Sequence, residues 1–200
     1  NPTSTIIPPQ DQIDALVGLY QSGQMEKVEQ ACRHLLERFN NSPFIFNILG
    51  ASLKNQGKLQ EAVSTFDNAI QLNPNFVEAY NNRGNALNDL GQLEEALKSY
   101  DKAIQISPDF AEAYGNRASV LNNLGNIKDA LESYDKVIQL KPNYSNAHFN
   151  RGNILKKSGK LAEALKSYDA AIQYKHDNAK AYCNRGNILK TFGRFGEALK

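Results

Sequence analysis

Apolar and polar positions along this chain follow a helical period, and the pattern itself recurs. In the stretch Val77–Phe110, Ala79, Tyr80, Gly84 and Leu87 fall three or four residues apart, which places them on one face of a helix. Ala96, Tyr100 and Ala103 define a second helix with the same logic. Gly91 marks the corner between the two and Pro108 the exit. Pro74, Pro108 and Pro142 stand 34 residues apart, and Gly57, Gly91, Gly125, Gly159 and Gly193 keep that step. So do Ala62, Ala96, Ala130, Ala164 and Ala198. A fixed period of this length predicts a stacked array whose core continues from unit to unit, rather than a domain with one closed core.

The units read 43–76, 77–110, 111–144 and 145–178, with a degenerate copy at 11–42 and an incomplete one at 179–200. The degenerate copy is more apolar and lacks the small residues of the others, which suits an end repeat packed on one side. Residues 1–10 carry three prolines and no helical period, so they read as an extended leader. Its Ile6 and Ile7 could dock on an apolar surface.

Each recurring letter has a physical reason. Gly84, and Ala118, Gly152 and Gly186 at equivalent places, remove volume so that the second helix can come close. The corner glycine can adopt the positive φ that ends a helix. Asn75 and Asp109, each followed three residues later by Glu, have the spacing of helix N-caps. Proline cannot continue the second helix and is expected to stop it. Arg83, Arg117, Arg151 and Arg185 stand on the packing face, where a guanidinium needs a partner. Its stem should cover apolar surface while its head reaches water or a carboxylate, with Asp101 and Asp135 as candidates. The fold class is all-α.

Composition narrows the function. The formal net charge of +2, with both signs interspersed, gives no reason to expect a nucleic-acid partner. No apolar run is long enough to span a bilayer, so no membrane insertion is expected. Cys32 and Cys183 occupy unrelated positions in their repeats, which excludes a disulfide framework and a paired-cysteine metal site. No phosphate-loop, dinucleotide, HExxH or EF-hand spacing occurs, and no cofactor is expected. With no secretory segment, the chain is expected in the cytoplasm. Asn1 in place of Met, and Lys200 inside a helical pattern, suggest a piece of a longer protein.

The sequence of an aromatic, then Leu-Gly or Arg-Gly three residues on, then a small-aromatic-small triplet and a terminal proline resembles the tetratricopeptide repeat (TPR). Two departures stand out: the usual Trp is Tyr80, Tyr114, Tyr182, Phe46 or His148, and Arg replaces the usual Leu in four copies. The resemblance implies a right-handed α-solenoid of antiparallel helix pairs. First helices would line a concave groove that binds a protein or an extended peptide.

Groove-facing positions on that basis include Asn47, then Asn81, Asn82, Asn85 and Asn88, then Asn116 and Asn122. Asn150, Asn153, Lys156 and Lys157 follow, then Lys180, Asn184 and Asn187. Asn82, Asn116, Asn150 and Asn184 are equivalent and form a ladder; Asn85, Asn153 and Asn187 form a second, partial one. Two readings stay open. The amides either bond neighbouring helices to one another, or offer donors and acceptors to the backbone of an extended peptide. The ladder resembles the groove of the TPR domain of O-GlcNAc transferases, which holds substrate polypeptide. A carboxylate clamp of the chaperone-adaptor type is disfavoured, because only Lys180 falls on a clamp position. Along the groove, Glu78, Asp89 and Glu112 sit in the middle, and Lys156, Lys157, Lys180 and Lys190 follow toward the C-terminal end. Such a drift would orient an acidic ligand.

Catalytic chemistry finds little support. His148 takes the place of a packing Tyr, His176 that of the inter-repeat proline, and His34 lies in the first unit. Cys183 faces the groove one repeat from His148, but no third group orients such a pair. The leading reading is therefore a non-enzymatic interaction scaffold. Two alternatives are the recruiting arm of a larger transferase-type enzyme, and a self-assembly module that forms homo-oligomers through the leader or the end repeats.

Overall fold

The structure is a computed structural model that describes residues 8–198; the expectation for Ile6 and Ile7 lies outside them. Twelve helices and no strand are present among the described residues. They are α1 Gln10–Gln21, α2 Met25–Arg38, α3 Pro43–Asn55, α4 Leu59–Leu72, α5 Val77–Asp89 and α6 Leu93–Ile106. Then come α7 Ala111–Asn123, α8 Ile127–Leu140, α9 Ser145–Lys157, α10 Leu161–Tyr174, α11 Ala179–Thr191 and α12 Phe195–Ala198. From α3 to α10 the helices alternate between 13 and 14 residues, so the 34-residue period maps onto helix pairs.

The chain divides into two compact units, one ending at Pro108 and one beginning at Asp109. In the first, α3 packs on α4 and α5 on α6, with α2 against α3 and α4 against α5. Its core is built from residues such as Leu16, Val28, Cys32, Leu53, Phe66 and Tyr100. In the second, α7 pairs with α8 and α9 with α10, and α10 packs on α11 around Leu155, Tyr168, Ala181, Ile188 and Leu189.

The corner glycines all lie in the left-handed region, with φ between 70° and 79° from Gly23 to Gly193, as their role at the corner requires. The small-against-aromatic contact is also as expected. A Cβ on Gly84 would stand 2.5 Å from the Tyr100 ring, and one on Gly152 would stand 2.8 Å from that of Tyr168.

Two expectations need correction. Asn75 and Asp109 are not the N-caps. Those are Phe76 and Phe110, without a side-chain cap. Asn75 belongs to the preceding turn, where its N–H donates to the Asn73 Oδ1 at 3.1 Å. Side-chain caps occur instead at Ser42, Asn126 and Asn178. Nor does proline by itself stop the second helix. α10 ends at Tyr174 with the same 14 residues as its copies, although His176 replaces the proline.

The arginines are held on both sides. Arg83 Nε donates to Asp67 of α4 at 2.6 Å, and its Nη1 to the buried Ser99 hydroxyl of α6 at 2.7 Å. Arg151 repeats this with Asp135 at 2.6 Å and Ser167 at 2.9 Å. Arg185 meets Asp169 at 2.6 Å. Each guanidinium thus joins its own repeat to the one before. In the 43–76 unit the equivalent residue is Leu49, and Thr65 in α4 bonds its own helix at the Glu61 carbonyl.

Candidate functional site

Several of the amides expected to face a groove are held by tyrosines of the second helices. Tyr100 Oη donates to Asn85 Oδ1 at 2.8 Å, and Tyr168 Oη to Asn153 Oδ1 at the same distance. Ser119 takes the corresponding place against Tyr134, 2.9 Å away. In the second unit the ladder residue of the following repeat closes on the same hydroxyl, Asn150 on Tyr134 and Asn184 on Tyr168. Asn82 follows α4, whose aromatic is Phe66 and has no hydroxyl, and its Nδ2 donates instead to Asn47 Oδ1 at 3.1 Å. Burial makes these phenols harder to ionise: Tyr168 is pushed up to about 12, and Tyr100 and Tyr134 also lie above the usual range.

Much of the ladder therefore serves the protein's own structure. Asn184 Nδ2 donates to Asn153 Oδ1 at 3.0 Å and its Oδ1 accepts from Lys156 Nζ at 2.9 Å. Asn81 is buried, contrary to its expected place on the open face, and both Asn81 and Asn116 are engaged. Asn88 is half-buried; Lys157, Lys180 and Asn187 are exposed. Asn187 makes a long contact of 3.9 Å to the Cys183 sulfur.

The amides converge at one place in the second unit. Ser119, Asn122 and Asn123 from α7, Tyr134 from α8, and Asn150, Asn153, Ile154 and Lys157 from α9 line an open cavity of about 260 Å³. Asn122 Oδ1 is closed off from solvent there and accepts no hydrogen bond. A buried acceptor left in that state costs about 1–3 kcal/mol. The repeat pattern places Asn122 among the groove-facing positions but does not show that its acceptor lacks a partner. The available signal was the comparison of copies: Lys54, Asn88, Asn122 and Lys156 share one repeat position, and Asp89, Asn123 and Lys157 share the next.

Two of the three acidic residues expected in the middle of a groove, Asp89 and Glu112, are paired. Lys54 of α3 meets Asp89 of α5 at 2.9 Å, and Lys141 meets Glu112 at 2.6 Å. That hydrogen bond holds the Glu112 carboxyl below its ordinary range. His148 and Cys183 are not brought together as a pair. His148 Nε2 lies 2.8 Å from the Pro142 carbonyl, and its ring stacks on Tyr174. Among the described residues no group of three His, Cys, Asp or Glu could hold a metal ion, and no helix is long and apolar enough to cross a membrane.

Helix pairs of constant length, left-handed corner glycines and small-against-aromatic packing define an all-α repeat solenoid. A family profile of the TPR repeat matches residues 50–88, 84–125, 118–159 and 152–193, and the chain belongs to the TPR repeat family. Among solved structures, pilF of Pseudomonas aeruginosa is similar with a TM-score of 0.85 and 21% identity, covering 95% of this chain and 86% of pilF. MamA is similar with a TM-score of 0.73 and 23% identity, over 82% of this chain and 95% of MamA. YrrB, described as a TPR protein with an unusual peptide-binding site, has a TM-score of 0.69 and 23% identity, over 86% and 88% of the two chains. At these identities the likeness establishes the fold. A search of curated proteins gave no match.

Proposed function

We propose that this chain is a non-enzymatic interaction scaffold that holds an extended polypeptide against the first helices of its repeats. The family supports this, since the TPR fold is typical of protein-interaction modules and one similar structure, YrrB, has a peptide-binding site. The observation that carries it is the cavity between α7 and α9, which Asn122, Asn123, Asn150 and Asn153 line. Amides of this kind can donate to the carbonyls of a peptide lying across them. Asn153, whose Oδ1 is already bonded to Tyr168 and Asn184, keeps its Nδ2 as a donor for a peptide carbonyl. An array of this kind grips the backbone rather than particular side chains.

Within this reading the ladder residues also carry bonds of the protein's own structure. Asn82, Asn150 and Asn184 bond neighbouring elements, so replacing them would perturb stability and binding together. Asn122 is the cleaner probe. Asn122→Ala removes an orphaned acceptor and is expected to leave thermal stability unchanged, or to raise it by up to about 1 kcal/mol, while weakening peptide binding. Thermal melts and fluorescence anisotropy with a labelled, end-blocked peptide measure the two effects. Unchanged affinity in this variant would remove the reading.

A further inference from the structure

The repeats can be compared position by position, and the comparison exposes a missing counter-ion. In the first unit, Lys54 at the end of α3 reaches across to Asp89 at the end of α5, and the two adjacent first helices are tied by an ion pair of 2.9 Å. Lys156 is the residue equivalent to Lys54 on α9, and the residue equivalent to Asp89 on α11 is Thr191. The lysine is kept and its carboxylate is not. Lys156 is half-buried and donates to the neutral Asn184 Oδ1 at 2.9 Å. An ammonium partly removed from water and facing only a neutral acceptor is short of compensation.

The neighbouring position carries the same message. Asp89 is replaced by Lys157 on α9, and Lys157 lines the cavity beside the unpaired Asn122 Oδ1. Helices α9 and α11 contain no Asp or Glu. They do contain Lys156, Lys157, Lys180 and Lys190, and none of these four forms an ion pair among the described residues. The arginines of the two helices are already spoken for, Arg151 by Asp135 and Arg185 by Asp169. Lysine in a last helical turn is favoured by the helix dipole. That accounts for a cation at 156, 157 and 190, but not for the loss of the carboxylate that its copy at Lys54 retains.

We propose that the groove of the second unit selects an acidic extended peptide, whose side-chain carboxylates pair with Lys156 and Lys157 in the role that Asp89 plays for Lys54. The inference rests on the groove reading given above and deepens it: backbone amides provide the grip, and the lysines choose the sequence. An acidic residue lying across the cavity amides would bring its carboxylate to Lys157, which lines the same cavity.

The test uses the full chain and two end-blocked peptides, one alternating Glu with Thr and one with every Glu replaced by Gln. Binding is read by fluorescence anisotropy at low and at physiological salt. The Glu peptide is expected to bind about five- to tenfold more tightly than the Gln peptide at low salt, with a smaller ratio as salt rises. Lys156→Gln/Lys157→Gln should bring the ratio close to one, with melts confirming the fold. Thr191→Asp restores the counter-ion within the chain and should lower the ratio about two- to threefold without removing a lysine. Equal binding of both peptides, with Asn122→Ala weakening both, would overturn the acidic selection and leave the groove reading standing. A Glu preference that persists in the double lysine variant would overturn it as well. If neither peptide binds, the groove reading falls together with this one.

Discussion

Glu29 shows how a single carboxylate can tie a unit together. Its Oε2 accepts from Lys58 Nζ at 2.7 Å and from Gln56 Nε2 at 2.9 Å, while Arg33 holds Oε1 at 2.9 Å. The Lys58 hydrogen bond, opposed in part by desolvation and helped by Arg33 and Gln56, lowers the carboxyl from 4.5 to about 2. A depressed carboxylate contributes stability that is present above its unfolded value and lost as pH falls toward its folded one. The first unit should therefore lose stability between about pH 4.5 and pH 2, and Glu29→Gln should flatten that acid limb in melts across pH. Gly84 is the opposite kind of residue, since it matters by what it lacks. Gly84→Ala drives a Cβ into the Tyr100 ring at 2.5 Å and should cost about 1–3 kcal/mol by overpacking. The 111–144 unit carries Ala118 in the same place opposite Tyr134, so the ring can yield and the lower end is expected.

At the scale of elements, the period of 34 was enough to place every helix pair from α3 to α10, because helix length, corner and packing face all repeat in phase. What remained hidden depends on partners that no period encodes. The reach of Asn82 to Asn47, for example, follows from Phe66 having no hydroxyl. The arginine links were half legible. Asp135 was a candidate and does hold Arg151, but the serine on the other side went unnoticed. Its signal was in the copies, since Arg83 and Arg151 each have Asp sixteen residues before and Ser sixteen after, while Leu49 has neither. Proline is not needed to stop the second helix, and a substitution makes this measurable. α10 already ends where its copies end, so His176→Pro should leave the helix unchanged. It should raise stability by up to about 1 kcal/mol by restricting the unfolded chain, seen as a small upward shift in the thermal midpoint.

For the molecule as a whole, stability in a repeat array is a sum of unit and neighbour terms, so damage should stay local. Hydrogen exchange in Gly84→Ala is expected to quicken first in α5 and α6, and to leave α9 and α10 close to the wild-type rate. Uniform acceleration along the chain would argue for a single cooperative body instead. The tyrosines beneath the groove have a further consequence, for optics. The chain has nine Tyr and no Trp, so tyrosine dominates its intrinsic ultraviolet emission. Tyr100, Tyr134 and Tyr168 are hydrogen-bonded to groove-side residues, and Tyr134 also lines the cavity. Any ligand that reorders those amides changes the electronic surroundings of the fluorophores below them. With the groove occupied as proposed, these tyrosines would serve as an unlabelled reporter of binding.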